Sequence, residues 1–233
     1  NVQGDGSVIG AWDERGRKGR QQLNYLMERL RMHEVPTMIY FVRHGETILT
    51  PDRKFSGSGQ PNPPLTLEGQ AQAQAVAVEV AKLAPEVLIA SPLQRTRETA
   101  EAIAAVVDLP ITFDEAWFEC SFGAWDGLSI DEVKASYPRE YQAWVSSSAF
   151  PPPQGESYDA LGWRIDEALN DLVALYPGQR VVVVTHNGPI KQAVRLALGG
   201  PAESIFHIDV APCSISAVSI WPSDGLRAVR VLN

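Results

Sequence analysis

The chain has 233 residues, of which 45% are apolar, and it carries a formal net charge of −8. This length suits one domain with a substantial core, and no run approaches the roughly 18 uninterrupted apolar residues that a membrane span needs. An acidic body does not favour nucleic acid as a partner, and two cysteines far apart in sequence disfavour a disulfide framework or a zinc site. The first residues are unlike a signal peptide, so we expect a cytoplasmic protein without a membrane segment.

Residues 1 to 36 differ from the rest of the chain. Residues 1 to 20 are rich in glycine and charge, which predicts a flexible linker, with a nucleic-acid contact as the less favoured alternative. From residue 21 to 34, leucine and methionine recur at helical spacing and predict an amphipathic helix. The chain begins without Met, so we expect a piece of a longer protein in which this segment precedes a domain over residues 37 to 233.

The first strong element is an apolar run from Met38 to Val42, which predicts a strand buried on both faces of a mainly parallel sheet. Arg43, His44 and a glycine follow it directly. Ligands bind beyond the carboxyl ends of such strands, so this cation and this imidazole are predicted to lie at a site.

The loop from Ile48 to Pro64 is crowded with proline and glycine, which forbid regular structure through most of it. It contains no G-K-[ST] sequence, so a nucleotide-binding P-loop is rejected. Thr66 is then predicted to cap an alanine-rich helix that runs to about Leu83.

A second strand is predicted from Val87 to Ala90, followed by a helix over residues 92 to 107 and a short strand from Ile111 to Phe113. We expect Ser91 as the N-cap of that helix, with Pro at its first position and Gln at its third, which puts Arg95 in the first turn. This alternation of strand and helix predicts a parallel sheet with helices on both faces.

Residues 114 to 156 break the alternation and are interpreted as a lid subdomain inserted over the strand ends. They carry Glu119 and two short helices, one opened by a capping box from Ser129 to Glu132 and one following Pro138. Four aromatic residues surround Glu119 in the sequence, either as a satellite hydrophobic cluster or in contact with substrate. In both cases they would desolvate this carboxyl and raise its pKa. The four are Trp117, Phe118, Phe122 and Trp125.

The last third of the chain returns to alternation. A helix is predicted from about Tyr158 to Leu175, a valine-rich strand from Arg180 to Thr185 that ends at His186, and a helix over residues 188 to 198. Two segments joined by the turn at residues 222 to 225 predict an antiparallel hairpin at one sheet edge. The predicted fold is therefore an α/β three-layer sandwich with an inserted lid and a C-terminal hairpin.

Three motifs, R-H-G-E-T, S-P-L-Q-R-T-R-E-T-A and V-T-H-N-G, occur in the order and approximate spacing seen in the histidine phosphatase (phosphoglycerate mutase-like) superfamily, which the chain resembles from about Met38 to its C-terminus. The segment E-C-S-F-G-A-W-D-G strengthens the match. Within that superfamily, the chain resembles actinobacterial acid phosphatase modules related to α-ribazole phosphatases. Because such modules are often fused behind a ribonuclease H domain, the resemblance implies an upstream domain of that kind in the full-length protein.

The resemblance implies a role for each matched residue. His44 is the nucleophile that becomes phosphohistidine, Glu119 is the proton donor, and Arg43, Arg95 and His186 bind the phosphoryl group. Further phosphate contacts are implied for Thr50, Ser56, Gly57 and Asn187. Thr50 stands where relatives usually carry Asn, and its reach is shorter.

Such a site suits a small phosphorylated metabolite and needs no metal or other cofactor. Neutral imidazole is a suitable nucleophile toward an anionic phosphomonoester, provided that surrounding cations take up charge on the phosphoryl oxygens. A phosphomonoesterase is the favoured function. The alternatives are a mutase that returns the phosphoryl group to its substrate and a non-catalytic phosphate-binding module.

Overall fold

A computed structural model describes residues 34 to 233. The amphipathic helix predicted over residues 21 to 34 and the linker before it fall almost wholly outside these residues. Pro36 to Asn233 form one compact unit. No helix within the described part of the chain is long and apolar enough to cross a membrane.

The unit is built on one six-stranded sheet. Its strands are β1 (Thr37–Arg43), β2 (Val87–Ala90), β3 (Ile111–Phe113), β4 (Arg180–Thr185), β5 (Ile215–Ile220) and β6 (Arg227–Val231). Their order across the sheet is β3-β2-β4-β1-β5-β6, with β3, β2, β4 and β1 parallel. β5 and β6 are antiparallel, which confirms the predicted hairpin at one edge.

Helices cover both faces of the sheet, as predicted. The described α-helices are α1 (Leu67–Lys82), α2 (Gln94–Val107), α3 (Ile130–Ser136), α4 (Pro138–Ser146), α5 (Tyr158–Leu175) and α6 (Asn187–Leu198), of which α1, α2, α5 and α6 pack on the sheet. One core cluster joins α5 and α6 to one face through residues such as Ile165 and Ile190, and the other joins α1 and α2 to the opposite face through residues such as Val80 and Ile103. β4 lies between them, and Val181 to Val184 alternate between the two clusters. The three-layer prediction is confirmed.

Local capping signals explain the starts of two helices. Thr66 caps α1 by accepting a hydrogen bond from the Gly69 N–H, and the capping box that opens α3 from Ser129 to Glu132 is formed, both as predicted. A cap of this kind stabilises a helix by about 1 kcal/mol.

The predicted start of α2 is wrong. The helix begins at Gln94, its N-cap is Leu93, and no side chain caps it. Ser91 instead directly follows β2. Its backbone N–H donates to the Val184 carbonyl, and its hydroxyl is hydrogen bonded to His186. Arg95 still lies in the first turn of the helix.

Candidate active site

The neighbouring parallel strands β2, β4 and β1 have their carboxyl ends on the same side of the sheet. Arg43 at the end of β1 is in register with Thr185 at the end of β4, and Ala90 at the end of β2 is in register with Val184. The residues that follow these ends are therefore brought together. The rings of His44 and His186 lie edge to face with centroids 5.2 Å apart.

His44 is buried and its orientation is fixed by backbone. The backbone N–H of His44 donates to the Thr185 carbonyl at 3.0 Å, and the ring Nδ1 lies 2.7 Å from the Gly45 carbonyl oxygen. Because a carbonyl oxygen only accepts, Nδ1 carries the proton and the lone pair is on Nε2. Burial, assisted by Arg95 and Arg43, holds the pKa of His44 well below its usual value, so the ring is neutral.

His186 is fully buried beside it. Its Nε2 lies 2.8 Å from the Ser91 hydroxyl, while its Nδ1 makes no hydrogen bond within residues 34 to 233. Burial is again the largest cause that lowers the pKa of this ring well below its usual value, followed by the charge of Arg95. A second neutral imidazole thus faces the first.

Two buried guanidinium groups supply positive charge. Arg43 donates through Nη1 to the Val210 carbonyl at 2.5 Å, and Arg95 donates through Nη2 to the carbonyls of Ser56 and Gly57, each at 3.0 Å. Burial lowers the pKa of Arg95 to about 10 although Glu119 and Asp126 oppose the shift, so it stays charged at neutral pH.

The loop that receives Arg95 is held by a residue of the segment that the sequence predicts to be a lid. The Gly57 N–H donates to Asp126 Oδ1 at 2.6 Å, and a Cβ on Gly57 would come within 2.5 Å of the Cys120 carbonyl. Only glycine fits this approach. Asp126 therefore holds the loop, and the loop carbonyls hold Arg95.

Glu119 enters the same space from the segment before the lid helices. Its carboxylate accepts from the Gly188 N–H at 3.1 and 3.2 Å and from the Cys120 N–H at 2.8 Å. Burial raises the pKa of Glu119 above its usual value, while these two N–H groups and the two arginines pull it down. The predicted direction of this shift is confirmed.

The segment that carries Glu119 is fixed by buried contacts. Thr185 donates through Oγ1 to the Trp117 carbonyl at 2.7 Å, and Arg164 donates through Nη1 to the carbonyls of Ala116 and Phe118. Arg164 also makes a bidentate ion pair with Glu156. These contacts fix the backbone immediately before Glu119.

The predicted aromatic cluster divides into two. Trp117 belongs to the main core, where it packs on Phe41 with ring centroids 5.8 Å apart. Trp125 is completely buried and packs on Phe55 of the loop before α1 and on Trp144 of α4, with ring centroids 5.6 and 5.5 Å away. The satellite-cluster interpretation therefore describes Trp125.

Two of the further predicted phosphate contacts already have partners. The Thr50 hydroxyl accepts from the Thr47 N–H at 3.0 Å, and the Gly57 N–H is used by Asp126. Ser56 Oγ and Asn187 Oδ1 are buried and make no hydrogen bond within the described residues. All four stay predictions as phosphate contacts.

Sequence reasoning missed two residues beside the site. Ser91 was assigned to a helix cap, and only the pairing of β2 with β4 reveals its contact with His186. Lys191 lies on α6, half-buried, with a pKa lowered by burial against the opposing charges of Asp209 and Glu119. Its spacing of four residues from Asn187, which puts both on one helix face, was the available signal.

The site contains buried polar atoms that have no hydrogen-bond partner within residues 34 to 233. They are the donors Arg43 Nε, Arg95 Nε and Arg95 Nη1, together with the ring nitrogen His186 Nδ1. Since buried polar groups normally have partners, these atoms fit a ligand that brings several acceptor oxygens and negative charge. A tetrahedral phosphoryl group has both properties, and His44 Nε2 is available to attack its phosphorus.

Comparison with known proteins points the same way. Residues 39–233 match the family model of the Histidine phosphatase superfamily (branch 1). The chain is 34% identical over 201 residues to the Bifunctional protein Rv2228c of Mycobacterium tuberculosis, covering 85% of this chain and 54% of that protein. The chain therefore spans about half the length of this relative.

A second relative and a solved structure are matched over nearly their whole length. The chain is 33% identical over 192 residues to a protein of Escherichia coli named Probable phosphoglycerate mutase GpmB, covering 80% of this chain and 88% of that protein. It superposes on the α-ribazole phosphatase from Shigella flexneri with a TM-score of 0.76 and 27% identity, covering 84% of this chain and 96% of that one.

Proposed function

Because this chain belongs to the histidine phosphatase superfamily, which includes phosphatases of the same fold, we propose that it is a metal-independent phosphomonoesterase that acts through a phosphohistidine on His44. The observation that carries the proposal is the set of buried polar atoms without partners on Arg43, Arg95 and His186 beside the free Nε2 of His44. The substrate is a small phosphorylated metabolite.

In the first step, the lone pair of His44 Nε2 attacks phosphorus and the bond to the ester oxygen breaks. The hydrogen bond from Nδ1 to the Gly45 carbonyl stabilises the positive charge that develops on the ring. Arg43, Arg95 and His186 donate to the three equatorial oxygens, where the transition state spreads its charge.

The departing alkoxide needs a proton, and Glu119 supplies it. Because its pKa is raised, a fraction of the Glu119 carboxyl groups stays protonated at pH values above the usual pKa range of glutamate, as a general acid requires. In the second step, the resulting carboxylate removes a proton from water while the water oxygen attacks phosphorus. The P–N bond then breaks, the electron pair returns to His44, and inorganic phosphate leaves.

A phosphoryl transfer back to an alcohol is the second candidate, and the similarity to the protein named as a phosphoglycerate mutase favours it. The same phosphohistidine would serve both reactions. A non-catalytic phosphate-binding module is disfavoured because the proposed nucleophile His44 and the proposed proton donor Glu119 both lie within electrostatic reach of the two site arginines.

Release of inorganic phosphate from a panel of phosphorylated metabolites, ranked by kcat/KM, tests the proposal. We expect phosphate in proportion to substrate consumed. Isomerised substrate without phosphate would favour the mutase, and turnover of neither kind would favour the binding module.

Other properties of the whole protein stay predictions. They are an upstream ribonuclease H domain, a cytoplasmic location, and the absence of nucleic acid as a partner of this domain.

A further inference from the structure

We propose that Ser91 is a positioning residue that sets the tautomer of His186, so that His186 Nδ1–H donates to the phosphoryl group. The inference deepens the proposed phosphomonoesterase function and depends on it. It gives a role to a residue whose sequence context indicates only a helix cap.

The first step of the argument is the contact itself. Ser91 and His186 are both completely buried, and the hydroxyl lies 2.8 Å from Nε2. The two residues directly follow the ends of β2 and β4, which are paired in parallel, and the Ser91 N–H donates to the Val184 carbonyl at 3.0 Å. The sheet therefore holds the hydroxyl against one ring nitrogen.

The second step decides the direction of this hydrogen bond. If Nε2 carried the proton, it would donate to Ser91, and the hydroxyl hydrogen would need another buried acceptor. Within residues 34 to 233 the Ser91 hydroxyl makes no hydrogen bond other than that to Nε2. When Ser91 donates, its hydroxyl has an acceptor in Nε2 and the proton of the neutral ring is on Nδ1, where a bound phosphoryl oxygen can accept it.

The third step concerns the other nitrogen. His186 Nδ1 is buried and makes no hydrogen bond within the described residues. A phosphoryl oxygen is an acceptor, so it is attracted by N–H and repelled by a nitrogen lone pair. In a neutral ring, Nδ1 can donate a hydrogen bond to a phosphoryl oxygen only in the Nδ1–H tautomer, which is the one that Ser91 selects.

The surroundings keep His186 neutral in the free enzyme. Burial is the largest cause that lowers the pKa of this ring, and the nearby charges of Arg95, His44, Arg43 and Arg164 lower it further, so a second proton is disfavoured. A neutral ring can place its single proton on either nitrogen. A neighbour that fixes the choice therefore has a direct effect on phosphate binding.

The test is Ser91→Ala, with nitrogen NMR of the histidine rings as the main readout. The chain has four histidines, and His186→Gln identifies the His186 signals. In wild type, free and with inorganic phosphate, we expect a neutral His186 ring protonated on Nδ1. Ser91→Ala should give a mixture of tautomers and lower kcat/KM by about 10- to 100-fold, by analogy with the partners that orient metal-binding histidines. The inhibition constant of inorganic phosphate should rise by a similar factor.

Thr96→Val is the matched control, because Thr96 donates to the Ser91 and Leu93 carbonyls in the same turn without contacting His186. It should keep the wild-type tautomer and phosphate inhibition. Equal effects in both variants, or a wild-type ring protonated on Nε2 or on both nitrogens, would overturn the inference. The wild-type spectrum decides this even if Ser91→Ala does not fold. An inactive wild type would instead count against the proposed function.

Discussion

At the scale of single residues, Glu119 and Asp126 are the two carboxyl groups that could act as the proton donor. Both have a pKa raised by burial. Asp126 is hydrogen bonded to the Gly57 N–H at 2.6 Å and so holds a loop, whereas Glu119 lies in electrostatic reach of both site arginines and against Gly188. This difference favours Glu119 as the proton donor of the proposed mechanism.

Glu119→Gln is therefore expected to lower hydrolysis of alkyl phosphates such as glycerol phosphates by roughly 10²–10⁴-fold, since general acid help is needed most for a basic leaving group. With p-nitrophenyl phosphate, phosphorylation of His44 should suffer much less. Stopped-flow absorbance should show a burst of nitrophenol followed by slow turnover, because the variant cannot activate water.

Asp126→Asn is the comparison for that experiment. It should weaken the loop that holds Arg95 and lower activity on both substrates to a similar degree. If Asp126→Asn instead shows the leaving-group dependence and the burst, Asp126 is the donor and the assignment of Glu119 is wrong.

The pH profile follows from two shifts of opposite sign. The attack requires neutral His44, whose pKa is lowered well below 6.5, so the acidic limb of kcat/KM should lie well below that value. Proton donation requires protonated Glu119, whose pKa is raised above 4.5, so the alkaline limb should lie above that value. The two shifts widen the pH range in which His44 is neutral while Glu119 is still protonated, and they favour activity in mild acid.

Steady-state kinetics with glycerol phosphate, corrected for substrate ionisation, would measure both limbs. An acidic limb at or above the usual pKa of histidine would contradict the assigned state of His44. The Glu119→Gln variant should lose the alkaline limb.

At the scale of elements, the close approach of α6 to the segment of Glu119 depends on Gly188. A Cβ there would collide with Glu119 Oε1 and would come within 3.1 Å of Leu161. Gly188→Ala should therefore displace the carboxyl and lower kcat/KM for alkyl phosphates by tenfold or more, because even a small misplacement of a reacting group is costly.

Gly225→Ala gives the matched control. Gly225 has φ of +71° in the hairpin turn and open space around it, so alanine should cost about 1 kcal/mol of stability without loss of activity. Thermal unfolding and kinetics on both variants separate the two effects. Full activity in Gly188→Ala would show that the close approach is not needed.

The elements were largely predictable from the sequence, since apolar runs and caps act locally. The α5 and β4 boundaries agree with those predicted from Tyr158 to Leu175 and from Arg180 to Thr185. Ser91 was misassigned because a serine before a helix satisfies the pattern of a cap, while its true partner is His186, 95 residues away. Trp117 was grouped with the lid because it is close to Glu119 in sequence. Its packing on Phe41 of β1 depends on tertiary structure, which the local sequence does not reveal.

At the scale of the whole molecule, a local positive site lies on an acidic chain of net charge −8. Activity should survive EDTA, because Arg43 and Arg95 supply the charge that faces the phosphoryl oxygens. Vanadate or tungstate should inhibit, since oxyanions would use the same donors. Activity lost to the chelator and restored by Mg²⁺ or Zn²⁺ would contradict this part of the proposal.

The measurement that tests the central claim most directly is mass spectrometry of the intact protein and its peptides after incubation with p-nitrophenyl phosphate and an acid-free quench. The account predicts one phosphoryl group on His44 in wild type, accumulating in Glu119→Gln, and none in His44→Ala, which should keep its fold because His44 lies beyond the end of β1. A phosphoryl group on His186, or turnover in His44→Ala at the wild-type rate, would contradict it.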